Sequence, residues 1–170
     1  MEKNGSWTIR EANPSDLSSV IRLIRGIADY EHMTDDVVLD PDILRASLFE
    51  RHEADVLLAS ADGRVVGFAL YFNHFSTFLG RTTMYLEDIF VQEAYRGRGI
   101  GKALFVEVAR RASELGQSRM DWICLSWNTP SLDFYRALGA NVMEEWRLVR
   151  LEGDALRRLV SKEDMTTEGM

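Results

Sequence analysis

Residues Tyr95-Arg96-Gly97-Arg98-Gly99-Ile100-Gly101-Lys102 set three glycines in five positions among two arginines and a lysine. A glycine-rich turn that follows a strand and opens a helix leaves backbone N–H groups unpaired and presents the positive end of the helix dipole, a combination that cradles phosphate. The dipole alone contributes only about 0.3–2 kcal/mol, so Arg96, Arg98 and Lys102 are expected to add charge-assisted contacts, and a pyrophosphate is the group that fits. Two common phosphate motifs are excluded. In a Walker loop ending at Gly101-Lys102, the first glycine falls on Arg96 and the Ser/Thr on Ala103. In the dinucleotide fingerprint the third glycine falls on Lys102, and no βαβ unit opens the chain. ATP and NAD are therefore disfavoured. The bland alternative is a tight strand-to-helix connection that holds nothing.

The other reactive types are sparse. Glu87 and Asp88 adjoin each other in a β-rich run, where alternation points them to opposite faces unless the strand bends; they could equally be solvated edge carboxylates. His32, His52 and His74 have neither metal-ligand spacing nor a Ser or Cys partner, so they read as surface or pocket-rim residues and no metal site is expected. Cys124, the only cysteine, reads as inert packing in an apolar strand and permits no intrachain disulfide. Glu11, Asp16, Asp35 and Asp36 read as a solvated acidic face.

The elements that must position the loop follow from periodicity. Asn13-Pro14-Ser15-Asp16 is a helix start, and Leu17, Val20, Ile21, Ile24, Ile27 and Ala28 give that helix one apolar stripe. Asp40-Pro41 starts a second, shorter helix. Val56–Ser60 and Val65–Phe72 around Asp62-Gly63 read as a hairpin, and Thr82–Val91 as a further strand running into the glycine loop. Ile100–Leu115 reads as a long helix closed by Gly116. Met120–Ser126 reads as a strand, Asn128-Thr129-Pro130 opens a helix ending at Gly139, and Val142–Leu151 reads as a final strand. This order predicts a mixed α+β sandwich with helices on both faces of a sheet.

The 170 residues suit a single domain over 1–170, with 1–5 and 161–170 as flexible tails. With 46% apolar and 28% charged residues the composition is that of an ordinary globular protein. A net charge of -7 argues against nucleic acid or an anionic membrane as partner. The lone cysteine and the polar first residues, unlike a signal peptide, point to the cytoplasm.

Arg96-Gly97-Arg98-Gly99-Ile100-Gly101 resembles the R-x-x-G-x-G acetyl-CoA pyrophosphate loop of the GNAT superfamily of N-acetyltransferases, and the order of elements resembles that fold. Three further stretches narrow the resemblance: Tyr85-Leu86-Glu87-Asp88-Ile89-Phe90-Val91; Trp127-Asn128-Thr129-Pro130-Ser131 with Phe134-Tyr135 and Leu138-Gly139-Ala140; and Asp29-Tyr30-Glu31. Over roughly residues 7–151 they are similar to the diamine acetyltransferases, which act on spermidine/spermine or thialysine.

The resemblance implies a central, mostly antiparallel sheet, acetyl-CoA as acetyl donor, a small-molecule amine as acceptor, and a homodimer. It assigns Glu87 as the base, Asp88 as a contact for a cationic amine, and Tyr135 as the partner of the leaving sulfur. Ile89, Phe90 and Val91 would offer main chain to the thioester and pantetheine, Arg96 through Lys102 would hold the pyrophosphate, and Asn128, Thr129, Pro130 and Ser131 would touch the pantetheine. Tyr30, Glu31 and Trp146 match amine-pocket positions. One stretch departs: Ser76-Thr77-Phe78 stands where spermidine/spermine enzymes carry Asp-Pro-Trp, closer to the thialysine branch. Tyr135 could instead be core beside Phe134 and Leu138, and Trp146 a core or subunit-contact aromatic. A protein lysine or N-terminal acetyltransferase and a non-catalytic acyl-CoA sensor are the competing functions.

Overall fold

The computed structural model describes residues 6–160, so the tails expected at 1–5 and 161–170 lie outside the described residues. The described residues form two compact units that divide between Ile123 and Cys124.

The first unit is one five-stranded sheet in sequential order: β1 (Trp7–Glu11), β2 (Asp55–Ala61), β3 (Arg64–Ser76), β4 (Arg81–Val91) and β5 (Met120–Asp121). The first four strands are antiparallel; β5 joins β4 in parallel. Asp62 and Gly63 both take positive φ, 53° and 74°, as a two-residue hairpin between right-twisted strands requires. Three longer helices flank the strands: α1 (Leu17–Tyr30), α2 (Pro41–Phe49) and α3 (Ile100–Glu114).

Alternation along the strands separates the helices onto two faces. Val56, Leu58 and Phe68 form one buried cluster with Val20 and Leu23 of α1 and Leu48 of α2. At the adjacent Gly67, a Cβ would meet Leu104 of α3 on the other face. Each large apolar side chain sealed this way contributes about 1.5–3 kcal/mol. Leu23, absent from the stripe read from sequence, is fully buried with Val20 at its centre. The chain enters α1 through a 3-10 turn, Pro14–Asp16, closed by a capping box: Asn13 Oδ1 accepts from the Ser15 N–H (3.0 Å), and the Asn13 N–H donates to Asp16 Oδ2 (2.9 Å). Asp16 also accepts two hydrogen bonds from Arg10, at 2.7 and 2.8 Å, and is 8% exposed. It is therefore a buried cap rather than part of a solvated acidic face.

The second unit, described to residue 160, contains α4 (Thr129–Ala137) and α5 (Gly153–Val160). The strand expected at Met120–Ser126 stops at Asp121, and Cys124, half-buried with its Sγ 3.7 Å from the Leu125 carbonyl oxygen, is not in a strand. The strand expected at Val142–Leu151 does not form; the Trp146 N–H donates to the Met143 carbonyl (3.1 Å) in a turn. No strand exists among the described residues of this unit to complete a ladder, and an unpartnered strand leaves its amide groups unsatisfied. Helix α5 was not read from sequence, although Asp154 in its first turn and Arg157 and Arg158 in its last suit the helix dipole. Among the described residues, no helix is long and apolar enough to cross a membrane.

Candidate active site

Strand β4 carries most of the candidate residues of the first unit. It pairs with β5 only at Met84 and Tyr85, so among the described residues of that unit its edge from Leu86 to Val91 pairs with no strand. The Gln92 N–H donates to the Val66 carbonyl (2.9 Å). Antiparallel ladders alternate bonded and non-bonded pairs, so the Val91–Gly67 and Ile89–Ala69 pairs turn their amides away from β3, toward the open edge.

A bulge sits on the same strand. Leu86 lies opposite Tyr71 and Asp88 opposite Leu70, leaving Glu87 as the extra residue. The bulge supplies a bend in the strand at Glu87 and Asp88. Glu87 is exposed, whereas Asp88 is partly buried. Loss of solvent, then the charges of Glu87 and Glu31, push the Asp88 carboxyl up to about 7. Glu31, just past the end of α1, is also raised, by burial. Asp88 thus feels both Glu87 and Glu31, an arrangement that favours an incoming cation.

Beyond β4 a short 3-10 turn, Glu93–Tyr95, leads into the glycine loop. Gly97 and Gly99 adopt φ of 73° and 82°, and a Cβ at either would meet nothing within 4 Å, so their conformation and not crowding calls for glycine. Among the described residues, none of the backbone N–H groups from Gly97 to Lys102 has a hydrogen-bond partner; the ladder of α3 begins with the Ala103 N–H on the Gly99 carbonyl (3.0 Å). Six unpaired donors therefore lead into the start of a 15-residue helix.

The basic side chains divide unexpectedly. Lys102 is exposed and makes no ion pair among the described residues. Arg98 turns to the β2–β3 hairpin, where its Nη1 donates to Asp62 (3.2 Å) and its guanidinium lies 5.3 Å from the centre of the Tyr95 ring. The loop is tied to β1 by the Trp7 indole, which donates to the Arg98 carbonyl (3.1 Å). Arg96 donates from Nε to the Val91 carbonyl (2.9 Å) and covers the rings of Tyr30 (4.7 Å) and Phe90 (5.6 Å). Sequence reasoning missed Trp7, Asp62 and Tyr95 as loop supports because each is recruited by position in the fold, without a motif of its own.

In the second unit, Asn128 is buried and caps α4, its Oδ1 accepting from the Ser131 N–H (3.4 Å), with Thr129 and Pro130 in the first turn. Tyr135 is 8% exposed, and its ring meets that of Phe134 edge-on at 5.3 Å. Trp146 is exposed on irregular chain. His32, His52 and His74 are exposed, and among the described residues no group of three or more His, Cys, Asp or Glu is placed to hold a metal ion.

Residues 19–140 match the sequence model of the acetyltransferase (GNAT) family. The chain is 39% identical to a thialysine N-epsilon-acetyltransferase of Bos taurus, with 91% of this chain and 97% of that one aligned. It is 32% identical to the L-ornithine N5-acetyltransferase NATA1 of Arabidopsis thaliana, over 89% and 86% of the two chains. Among solved structures, an integron cassette protein from the mobile metagenome of V. cholerae superposes with a TM-score of 0.75 at 27% identity, covering 91% of this chain and 97% of the other.

Proposed function

The chain belongs to the GNAT acetyltransferase family, and on that premise we propose that it transfers an acetyl group from acetyl-CoA to a primary amine of a small diamine, thialysine-like in size and charge. Direct attack in a ternary complex is the proposed route. It is an acyltransferase enzyme of the N-acetyltransferase type. The match to a thialysine enzyme and Ser76-Thr77-Phe78 in place of an Asp-Pro-Trp support a short acceptor over a long polyamine.

The chain's residues fit acetyl-CoA: six unpartnered N–H groups at the start of α3 suit a pyrophosphate, and the open edge of β4 suits an extended amide-bearing arm. When bound, acetyl-CoA supplies an activated thioester. The Ile89 and Val91 main chain is proposed to pair with the arm and to stabilise oxyanion charge, with Phe90 between them. The pyrophosphate is proposed to rest on Gly97 through Lys102.

A primary alkylamine with a pKa near 10.4 is free base in only about one molecule in 2,500 at pH 7, so a proton acceptor is needed. Glu87 is the proposed acceptor, working with Asp88. Burial and like charge raise the proton affinity of Asp88, so the two carboxyls act as one coupled acceptor while Glu31 and Tyr30 hold the amine's remaining charge. Three residue roles in the second unit rest on motif: Tyr135 at the leaving sulfur, Asn128 through Ser131 along the pantetheine, and Trp146 toward the amine. A phenol pKa near 10 lies above a thiol's 8.5, so Tyr135 is proposed to donate a hydrogen bond rather than transfer its proton outright. A homodimer, a cytoplasmic location and one catalytic domain spanning the chain complete the proposal.

The observation that carries the amine assignment is the mostly buried Asp88 at the β4 bulge, beside Glu87 and within the influence of Glu31. The test is CoA release from acetyl-CoA with thialysine, ornithine, diaminopropane, spermidine, lysine and a lysine peptide. One small diamine should dominate, with kcat falling at least about a hundredfold in Glu87→Gln and about tenfold or more in Tyr135→Phe. Turnover only with the peptide, or CoA binding without any turnover, would replace this reading by the protein-acetyltransferase or sensor reading.

A further inference from the structure

The guanidinium of Arg96 touches both halves of the proposed chemistry at once. Its Nε holds the Val91 carbonyl (2.9 Å) on the open edge of β4. Its plane covers Tyr30 (4.7 Å), the last residue of α1 and the neighbour of Glu31, and reaches Phe90 (5.6 Å). The Phe90 ring in turn fills the space left by Gly26 of α1, where a Cβ would come within 2.9 Å of it. The cofactor loop, the edge of β4 and the C-terminal turn of α1 are therefore joined through one side chain.

We propose that Arg96 is a positioning residue that couples the cofactor loop to the amine side, fixing the Tyr30 ring and the Val91 carbonyl together. The inference rests on the acetyltransferase reading for what the two sides bind. A lysine cannot reproduce it: an ammonium supplies charge, but it offers neither the Nε–H at the Val91 carbonyl nor a plane to stack on the ring. Coupling of this kind is reciprocal, so disturbing Tyr30 should weaken CoA binding even though Tyr30 lies outside the loop.

The experiment is calorimetric titration of CoA into wild type, Arg96→Gln, Arg96→Lys, Tyr30→Leu and the double variant Arg96→Gln/Tyr30→Leu, after circular dichroism has shown each to be folded. Arg96→Gln and Tyr30→Leu should each raise the CoA Kd about three- to fivefold, the range of an exposed cation–aromatic contact. The double variant should be no weaker than the weaker single, and Arg96→Lys should stay within about twofold of Arg96→Gln. At saturating acetyl-CoA, Arg96→Gln should raise the amine KM by a similar factor. Multiplicative Kd effects in the double variant, a Tyr30→Leu protein with wild-type CoA affinity, or full rescue by lysine would each overturn the proposal, the last marking Arg96 as a plain phosphate charge. If wild type binds CoA but acetylates no amine, the functional reading fails, and the CoA cycle still decides the Arg96–Tyr30 coupling.

Discussion

Replacing Asp88 by Asn should make the unliganded protein more stable, increasingly so as pH rises. The Asp88 carboxyl is pushed from an ordinary 3.8 up to about 7 by burial first, then by Glu87 and Glu31. Because its folded value lies above its unfolded one, the folded state binds more protons across this window, and stability falls as pH rises through it. Below about pH 4 both states are protonated and the group contributes nothing; above about pH 7 the full cost of burying the charge is in place. At about 1.36 kcal/mol per pH unit, the wild type should lose roughly 2–3 kcal/mol between pH 5 and pH 8 from this group alone. Asparagine keeps the shape and carries no charge, so that loss should vanish. Urea denaturation of both proteins at pH 5, 6, 7 and 8 measures it, the quantity being the change with pH of the difference between the two. A difference constant to within about 0.5 kcal/mol would refute the claim that Asp88 sits in a charge-disfavouring site. Activity should move the other way, as expected of a residue kept for chemistry at the expense of stability.

Three further outcomes are expected. Gly99→Ala, forced to φ 82°, should cost about 1 kcal/mol or more in thermal or urea unfolding and weaken CoA binding, whereas Gly101→Ala, whose nearest neighbour would be Val91 Cγ2 at 3.8 Å, should leave stability within about 0.5 kcal/mol. Asp16→Ala removes a capping carboxylate and its pairing with the exposed Arg10, and should cost about 1–2 kcal/mol; because Arg10 holds the Asp16 carboxyl below its usual range, the wild-type advantage should be full above about pH 4 and fade on acidification, readable from melting temperatures between pH 2.5 and pH 6. Gly67→Ala would put a Cβ 2.8 Å from the Phe90 carbonyl oxygen and should destabilise by about 1–3 kcal/mol, measurable by urea unfolding.

The glycine loop was legible from sequence because its requirement is local: only glycine accepts positive φ freely, and a helix start leaves its donors unpaired whatever surrounds it. The helix starts at Asn13-Pro14 and Asp40-Pro41 and the Asp62-Gly63 hairpin were legible for the same reason. Pairing is not local. Glu87 is a bulge residue only because β3 offers one partner fewer than β4 has residues there, and that count appears when the strands meet. The Val142–Leu151 run has strand-forming residues, yet a strand is completed by its neighbour, and none is present in its unit among the described residues. Charge and proximity in sequence assign Arg96 and Arg98 to a phosphate, but not the protein partners that they also take. Tertiary structure turned one to Tyr30 and the Val91 carbonyl and the other to Asp62, because a long side chain goes to whichever partners the fold brings within its reach, and those partners lie far away along the chain.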